Sequence, residues 1–455
     1  MRFTHEEIES LVESNYQIEC ILIELTRQDG DILHRFAGPG SLRQTEDGCL
    51  RLKCYHTCDG DDELFQSWKT SIGNTLPGAL IPEGEYFTME AIDMEGHIWK
   101  AENVLLSGHF SIQVNAVIVE STVRQISSES ERAAHVNHDK SSFYIVIPGN
   151  HSVPCNEWED MGTKKTMSVC RINWPEFELT LKIRRKFLVA AFSGPSASLG
   201  TEDSYKIAEA LSIVFGKICH IVLSTYYADQ GCTSIISSVP INDSNKQIPS
   251  PIRHKDPWNY KTFETFLKCY LTSVAQPYGM YYEYWHRINR AWQGGIEIAA
   301  LAVTTAIEGI LKESFSDYIK PDEEFRHQAE TAKEAVKSLD LDKRINDYLL
   351  SSLGNASKGS ARNGLRYLKS KGLISEQLIK CWSELRNKAA HADSLEFDSD
   401  KLQEYIDLVF GCYHVFNILL LINIGYNGEY TNLSAKGWPA EVIEDDETTL
   451  PDQDA

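Results

Sequence analysis

At 455 residues the chain is too long for one ordinary hydrophobic core, so two or three domains are expected. Apolar residues make up 42% and charged residues 24%, which excludes a wholly disordered or fibrous chain. The formal net charge of -21 excludes a broadly basic nucleic-acid binder, so any nucleic-acid site must be a local patch.

The opening MRFTHEEIES has no basic region followed by an apolar run, so no export signal is read and a cytoplasmic location is expected. The 11 cysteines are then expected as reduced thiols. Thr4 and Glu7 have capping-box spacing ahead of Ile8 and Leu11, which predicts a short helix. Strand-like runs follow at Gln17–Thr26, Cys49–Tyr55, Tyr86–Asp93, Val114–Glu120, Phe143–Ile147 and Phe177–Ile183, with a hairpin turn at Asp93–Gly96. They predict a β-rich domain, sandwich or barrel-like, within residues 1–200.

Helical spacing begins after Thr201, with Ile207, Leu211, Val214, Ile218 and Val222 on one face. Residues 201–258 therefore read as a helical connector ending in a proline-marked linker. Residues 259–430 read as one domain, with only helices expected from Tyr260 to Gly425, near 260–274, 279–292, 296–318, 325–350, 357–370, 375–391 and 399–424. Val409–Ile424 is apolar but shorter than the ~20 residues of a membrane span and contains His414, Asn417 and Asn423. It reads as a buried bundle helix, with part of its surface available for a subunit contact, and no membrane partner is expected. Residues 431–455 end in an acidic stretch without a periodic apolar face, read as disordered from Trp438 onward. The fold class is thus α+β multidomain, a β-rich domain followed by an all-α bundle.

The segment richest in chemistry is Ser375–Ser394. Ser375 suits an N-cap, and Leu378, Trp382, Leu385 and Ala389 repeat at helical spacing toward a core. Asn387 and His391 lie four apart on the opposite face, with Arg386 on its flank. Two readings are open at this point. His391 could complement a helix C-terminus while Arg386 pairs with Glu384 or Glu308. Alternatively, Arg386, Asn387 and His391 form a reaction centre.

The run Arg386-Asn387-Lys388-Ala389-Ala390-His391 closely resembles the R-N-x-x-x-H motif of HEPN ribonucleases. Thr305–Phe315, with Glu308, is similar to the first long HEPN helix, and Arg362–Ser375 precedes the motif helix as in that family. The order of domains resembles ApeA-like anti-phage proteins. The HEPN resemblance covers about Tyr260–Gly425, and the resemblance over the β-rich part rests on order and texture.

The resemblance implies a metal-independent RNA endonuclease without a cofactor, acting in anti-phage defence by abortive infection. The RNA 2′-hydroxyl would attack the adjacent phosphate, leaving 2′,3′-cyclic phosphate and 5′-hydroxyl ends. His391 suits proton transfer, because its ordinary pKa of about 6.5 lies near neutrality. Arg386 would stabilise the anionic phosphorane, and Asn387 would orient His391 or hold a phosphate oxygen. Glu308 and Glu384 would support the site. Partners implied are RNA in unpaired loops, tRNA among them, a second copy in a homodimer or larger even oligomer, and a phage-derived trigger. An alternative is a non-catalytic HEPN module that binds RNA or nucleotide and dimerises, attached to a ligand-sensing β-domain.

Residues 331–391 contain 12 Lys/Arg against 6 Asp/Glu, a basic island in an acidic chain. Within it Lys388, Arg362, Arg366 and Lys369 are candidate RNA contacts. Cys49, Cys54, His56 and Cys58 are weak zinc candidates, since their spacing departs from paired CxxC, and buried thiols are the default. The aromatic run Tyr281, Tyr282, Tyr284, Trp285 and Trp292 reads as packing, with base stacking as the lesser option.

Overall fold

The computed structural model describes residues 3–28, 35–60, 69, 78–111, 115–131, 140–160, 162, 165–175, 177–195, 200–228, 231–239, 247–254, 260–321, 323–356, 358–390 and 399–443. The chain forms two compact units, one of 1–208 with 219–244 and one of 209–218 with 245–455. The first is rich in antiparallel strands and the second is helical, an α+β architecture in two parts.

The first unit opens with α1 (His5–Val12), whose N-cap Thr4 and Glu7 form the expected reciprocal capping box. Among the described residues, fifteen strands then join one antiparallel hydrogen-bonded ladder. They are β1 (Gln17–Arg27), β2 (Arg35–Gln44), β3 (Leu50–Thr57), β4 (Phe87–Asp93), β5 (Ile98–Val104), β6 (Ser107–Ser111), β7 (Ala116–Val123), β8 (Gln125–Glu131), β9 (Lys140–Pro148), β10 (Glu157–Asp160), β11 (Lys165–Asn173), β12 (Glu178–Ile183), β13 (Phe187–Pro195), β14 (Leu223–Ala228) and β15 (Gly231–Ser237). Their spatial order is β10-β11-β12-β13-β9-β14-β15-β8-β5-β4-β1-β2-β3-β7-β6. Alternation buries one face, as in β3, where Leu50, Leu52 and Cys54 point inward. Ile8 and Leu11 of α1 join Ile23, Leu25, Leu52, Val119 and Ile126 in one core cluster.

The connector differs from its sequence reading. Helix α2 (Thr201–Phe215) stops at Gly216, whose backbone is left-handed at φ +67. A Cβ there would lie 1.9 Å from the Ile248 carbonyl oxygen, so only glycine permits this close approach. The chain then returns to the sheet as β14 and β15. Residues 216–228 and 231–237 are therefore not helical: Tyr226, Tyr227, Ile235 and Ile236 pair as strands, overriding the helical spacing of Ile218 and Val222.

The second unit contains α3 (Tyr260–Ser273), α4 (Met280–Gly294), α5 (Ile296–Ser314), the short α6 (Ser316–Ile319), α7 (Glu323–Ser338), α8 (Lys343–Ala356), α9 (Ala361–Ser370), α10 (Glu376–Ala390) and α11 (Ser399–Asn423). Helix α5 packs against α4, α9, α10 and α11. The single helix expected over 325–350 is broken into α7 and α8, because Asp342 accepts from the Arg344 backbone N–H at 3.0 Å and starts a new helix.

Helix α11 is long and apolar enough by composition to cross a membrane, yet 72% of its most apolar stretch is buried. Val409, Tyr413, Phe416, Leu419 and Leu420 are fully buried. Most of Val409–Ile424 is core, with Phe410, Ile422 and Asn423 half-buried.

Part of the acidic C-terminal segment is ordered. Strand β16 (Gly428–Thr431) pairs with β17 (Ala440–Ile443). The Glu441 carboxylate accepts from Tyr430 Oη at 2.7 Å and Asn432 Nδ2 at 2.6 Å. These charge-assisted bonds offset the cost of placing an acid there. Residues 444–455 lie outside the described residues.

Candidate active site

Helix α10 starts where its sequence requires. Ser375 Oγ accepts from the Leu378 backbone N–H at 3.3 Å. Leu378, Trp382 and Leu385 are buried, turning Arg386, Asn387 and Lys388 outward. The predicted amphipathic orientation therefore holds for these residues. His391 lies outside the described residues.

Arg386 is fixed by a neighbouring helix rather than by its own. Its Nε donates to Glu308 Oε1 of α5 at 2.6 Å, with the side chains 51% and 37% exposed. The two Nη groups make no hydrogen bond among the described residues. A guanidinium held by its Nε keeps its terminal donors for an incoming anion, in the geometry that pairs with phosphate oxygens. Glu384 takes a different partner, Lys388 Nζ at 2.7 Å, one turn along the same helix. Asn387 is exposed and stands beside Arg386 on the helix surface.

Arg362, Arg366 and Lys369 lie on the exposed face of α9, which packs against both α5 and α10. Lys369 bridges to Glu376 Oε2 at 2.8 Å, and that hydrogen bond holds the Glu376 carboxyl below its ordinary pKa. The basic island is thus partly neutralised. Lys333 and Lys337 also pair with acids one turn away, while Arg362 and Arg366 form no salt bridge among the described residues. Burial raises the Cys381 thiol of α10, with Glu384 and Asp407 adding to the effect, so this cysteine is held as a thiol rather than a thiolate nucleophile.

The other sequence candidates separate. Among the described residues no three His, Cys, Asp or Glu side chains group as a metal site. Cys54 is fully buried, with its Sγ directed to the Ile23 and Gly38 carbonyls, and desolvation pushes its pKa up to about 12. His56 Nδ1 meets the Ala37 backbone N–H at 3.1 Å instead of joining the cysteines. The aromatic run packs inward. Trp285 is fully buried, Trp292 meets the Phe410 and Tyr413 rings, and Tyr281 Oη bonds Ser314 Oγ at 2.8 Å.

One feature of the β-rich unit escaped sequence reading beyond its turn. A cleft of about 760 Å³ is lined in part by Tyr16, Glu19, Asp93, Glu95, His97 and Trp99. Burial alone would raise the Asp93 pKa. Bonds from Trp99 Nε1 at 2.9 Å, from the His97 and Glu95 backbone and from the His97 ring outweigh it and lower the value. The same bonds close the Asp93–Gly96 turn, with Gly96 at φ +86. They stabilise the hairpin without freeing a catalytic group.

No family model matches the chain, and no curated protein or solved structure matches it.

Proposed function

We propose that the helical unit is a metal-independent endoribonuclease of HEPN type, with Arg386 as phosphate clamp, Asn387 as orienting amide and His391 as proton-transfer group. The observation that carries this reading is Arg386, half-exposed and anchored through Nε to Glu308 with its terminal donors unbonded among the described residues, within an Arg-Asn-x-x-x-His spacing. Attack by the RNA 2′-hydroxyl needs a proton acceptor and a fixed cation at the developing phosphorane, and these residue types supply both. The role in phage defence, with the β-rich unit sensing a phage component, follows the ApeA resemblance.

A dimer is part of the proposal. Arg386 and His391 are five apart, about 140° around a helix, so one copy does not converge them tightly on a phosphate. Ile298 and Leu301 of α5, each 53% exposed, supply an apolar surface on the helix that carries Glu308 for a second copy.

A second reading is favoured by the same ion pair. Arg386 partly neutralised by Glu308 suits a non-catalytic RNA- or nucleotide-binding and dimerisation module. The two separate in one assay. Purified protein is incubated with structured RNA in EDTA, and the ends are sequenced. Cuts bearing 2′,3′-cyclic phosphate that vanish in His391→Ala support the nuclease. Uncut but retained RNA supports the binding module and ends the nuclease reading.

A further inference from the structure

Helix α9 carries Arg362, Arg366 and Lys369 at spacings of four and three residues, one stripe on a helix without an acidic residue. Lys358 precedes the helix and Lys371 caps it. Beside this stripe two tyrosines stack. The Tyr318 ring of α6 and the Tyr367 ring of α9 have centroids 3.8 Å apart and planes 15° from parallel. The Lys371 ammonium lies 5.8 Å from the Tyr367 centroid. Both rings are partly exposed, whereas Tyr282 and Trp285 of α4 are buried.

The stack is built by a close approach. A Cβ on Gly364 would stand 3.0 Å from both Ile319 Cγ2 and Leu311 Cδ2, so its absence lets α5 and α6 settle against α9. The Ile319 carbonyl accepts from the Ser360 backbone N–H at 3.0 Å and from Asn363 Nδ2 at 3.2 Å, which pins the single turn bearing Tyr318. Tyr318 makes one ring contact among the described residues, that with Tyr367, and its side chain is partly exposed.

A prestacked aromatic pair beside a cationic rail matches the two needs of a single strand, a flat surface for an unpaired base and positive charge for the backbone. A duplex offers no free base face. We propose that Tyr318, backed by Tyr367, is a stacking platform for an unpaired base of single-stranded RNA, whose phosphates follow Arg362, Arg366 and Lys369. The proposal rests on the ribonuclease reading and specifies the strand conformation of its substrate.

The test uses the full chain and a short fluorescent 2′-O-methyl oligouridine, which cannot be cut by 2′-hydroxyl attack, so binding is read apart from cleavage. Tyr318→Ala weakens binding by roughly 5- to 150-fold, and Tyr318→Phe, which keeps the ring, binds as wild type. Arg362→Gln and Arg366→Gln each reduce the slope of log affinity against log salt by about 0.7, whereas Tyr318→Ala leaves the slope unchanged. In the unsubstituted protein, a 4-thiouridine-labelled strand crosslinks to the peptide containing Tyr318 or Tyr367, a result that does not depend on any variant folding. Wild-type affinity in folded Tyr318→Ala, crosslinks confined to other peptides, or equal affinity for a perfect duplex overturns the platform. Binding and crosslinking at Tyr318 with no cleavage of ordinary RNA leaves the platform standing and removes the nuclease.

Discussion

Arg386 Nε and Glu308 Oε1 lie 2.6 Å apart, joining two helices across a sequence separation of 78 residues. Because both side chains are substantially exposed, this pair contributes only about 0.2–1 kcal/mol to stability. Its larger effect is to restrict where the guanidinium points. Glu308→Gln is therefore expected to melt within about 1 kcal/mol of wild type while RNA cleavage falls on the order of 10- to 100-fold. Thermal denaturation and initial cleavage rates measure the two effects. Unchanged rates would remove Glu308 from the site.

Arg386→Lys is expected to lose cleavage nearly as fully as Arg386→Ala, because an ammonium cannot reproduce the planar fork. Both variants should keep the far-ultraviolet spectrum and melting temperature of wild type. Recovery of most activity by lysine would reduce the arginine to a point charge.

Leu385, one residue earlier, is fully buried and predicts the opposite behaviour. Leu385→Ala should cost about 2–5 kcal/mol through lost contacts and a residual cavity. Its activity should fall in step with the folded fraction measured by urea denaturation. A folded but inactive Leu385→Ala would place a functional role inside the core.

His414 sets a pH dependence. Burial lowers its pKa to about 4, against the opposing influences of Glu441 and a backbone hydrogen bond at Thr431, and its ring stacks on Tyr430 at 5.7 Å. The folded value lies below the unfolded value of about 6.5, so protons favour unfolding. The contribution is fully present above about pH 6.5 and is lost as the pH falls toward 4, by at most about 3 kcal/mol. Hydrogen exchange of the α11 and β16 amides, corrected for intrinsic rates, should show faster opening across that window. The acceleration should be absent in His414→Leu, and an identical pH slope in that variant would trace the effect to another group.

The C-terminal hairpin distinguishes two truncations. Removing residues 444–455 should leave the melting temperature unchanged. Removing 438–455 also strips β17, the Glu441 acceptor for Tyr430 and the Trp438 carbonyl that accepts from Arg253 Nη2 at 2.8 Å. The longer truncation should lower the melting temperature of the helical unit, and equal melting of both would contradict the pairing.

Periodicity made most of the helical unit legible, because apolar stripes such as Leu378–Trp382–Leu385 survive in the sequence as packed. The breaks were less legible. Helix α5 ends at Phe315, a residue with no terminating chemistry, where burial of the ring turns the chain into α6. Strand β2 was hidden by Gly38-Pro39-Gly40, which resembles a turn. Its glycines are required because a Cβ on Gly40 would stand 2.0 Å from the Lys53 carbonyl oxygen, and the register shifts opposite this point. Polar strands such as β8, QISSESE, carry no alternation strong enough to read.

At the candidate site, Glu308 was legible as one of two partners for Arg386, and tertiary packing selected it over Glu384. The Tyr318–Tyr367 stack left no local signal, since its members are 49 residues apart and one sits on a single helical turn. Glu441 was misread because seven acids in a short stretch suggest solvation, while its two hydrogen bonds come from Tyr430 and Asn432 across a hairpin.

The position of β14 and β15 in the ladder bears on how the protein is made. β8 and β9 follow one another in sequence but do not pair, and the hairpin that joins them in space is the last of the fifteen strands to be synthesised. Until residue 237 has left the ribosome, two partial sheets each present a raw backbone edge, the surface on which nascent chains aggregate. Any fragment ending near residue 200 carries the same defect permanently. An expressed β-rich unit must extend through Ser237 to close its own sheet, and a fragment of the helical unit beginning near 201 would carry an orphan hairpin with nothing to pair against.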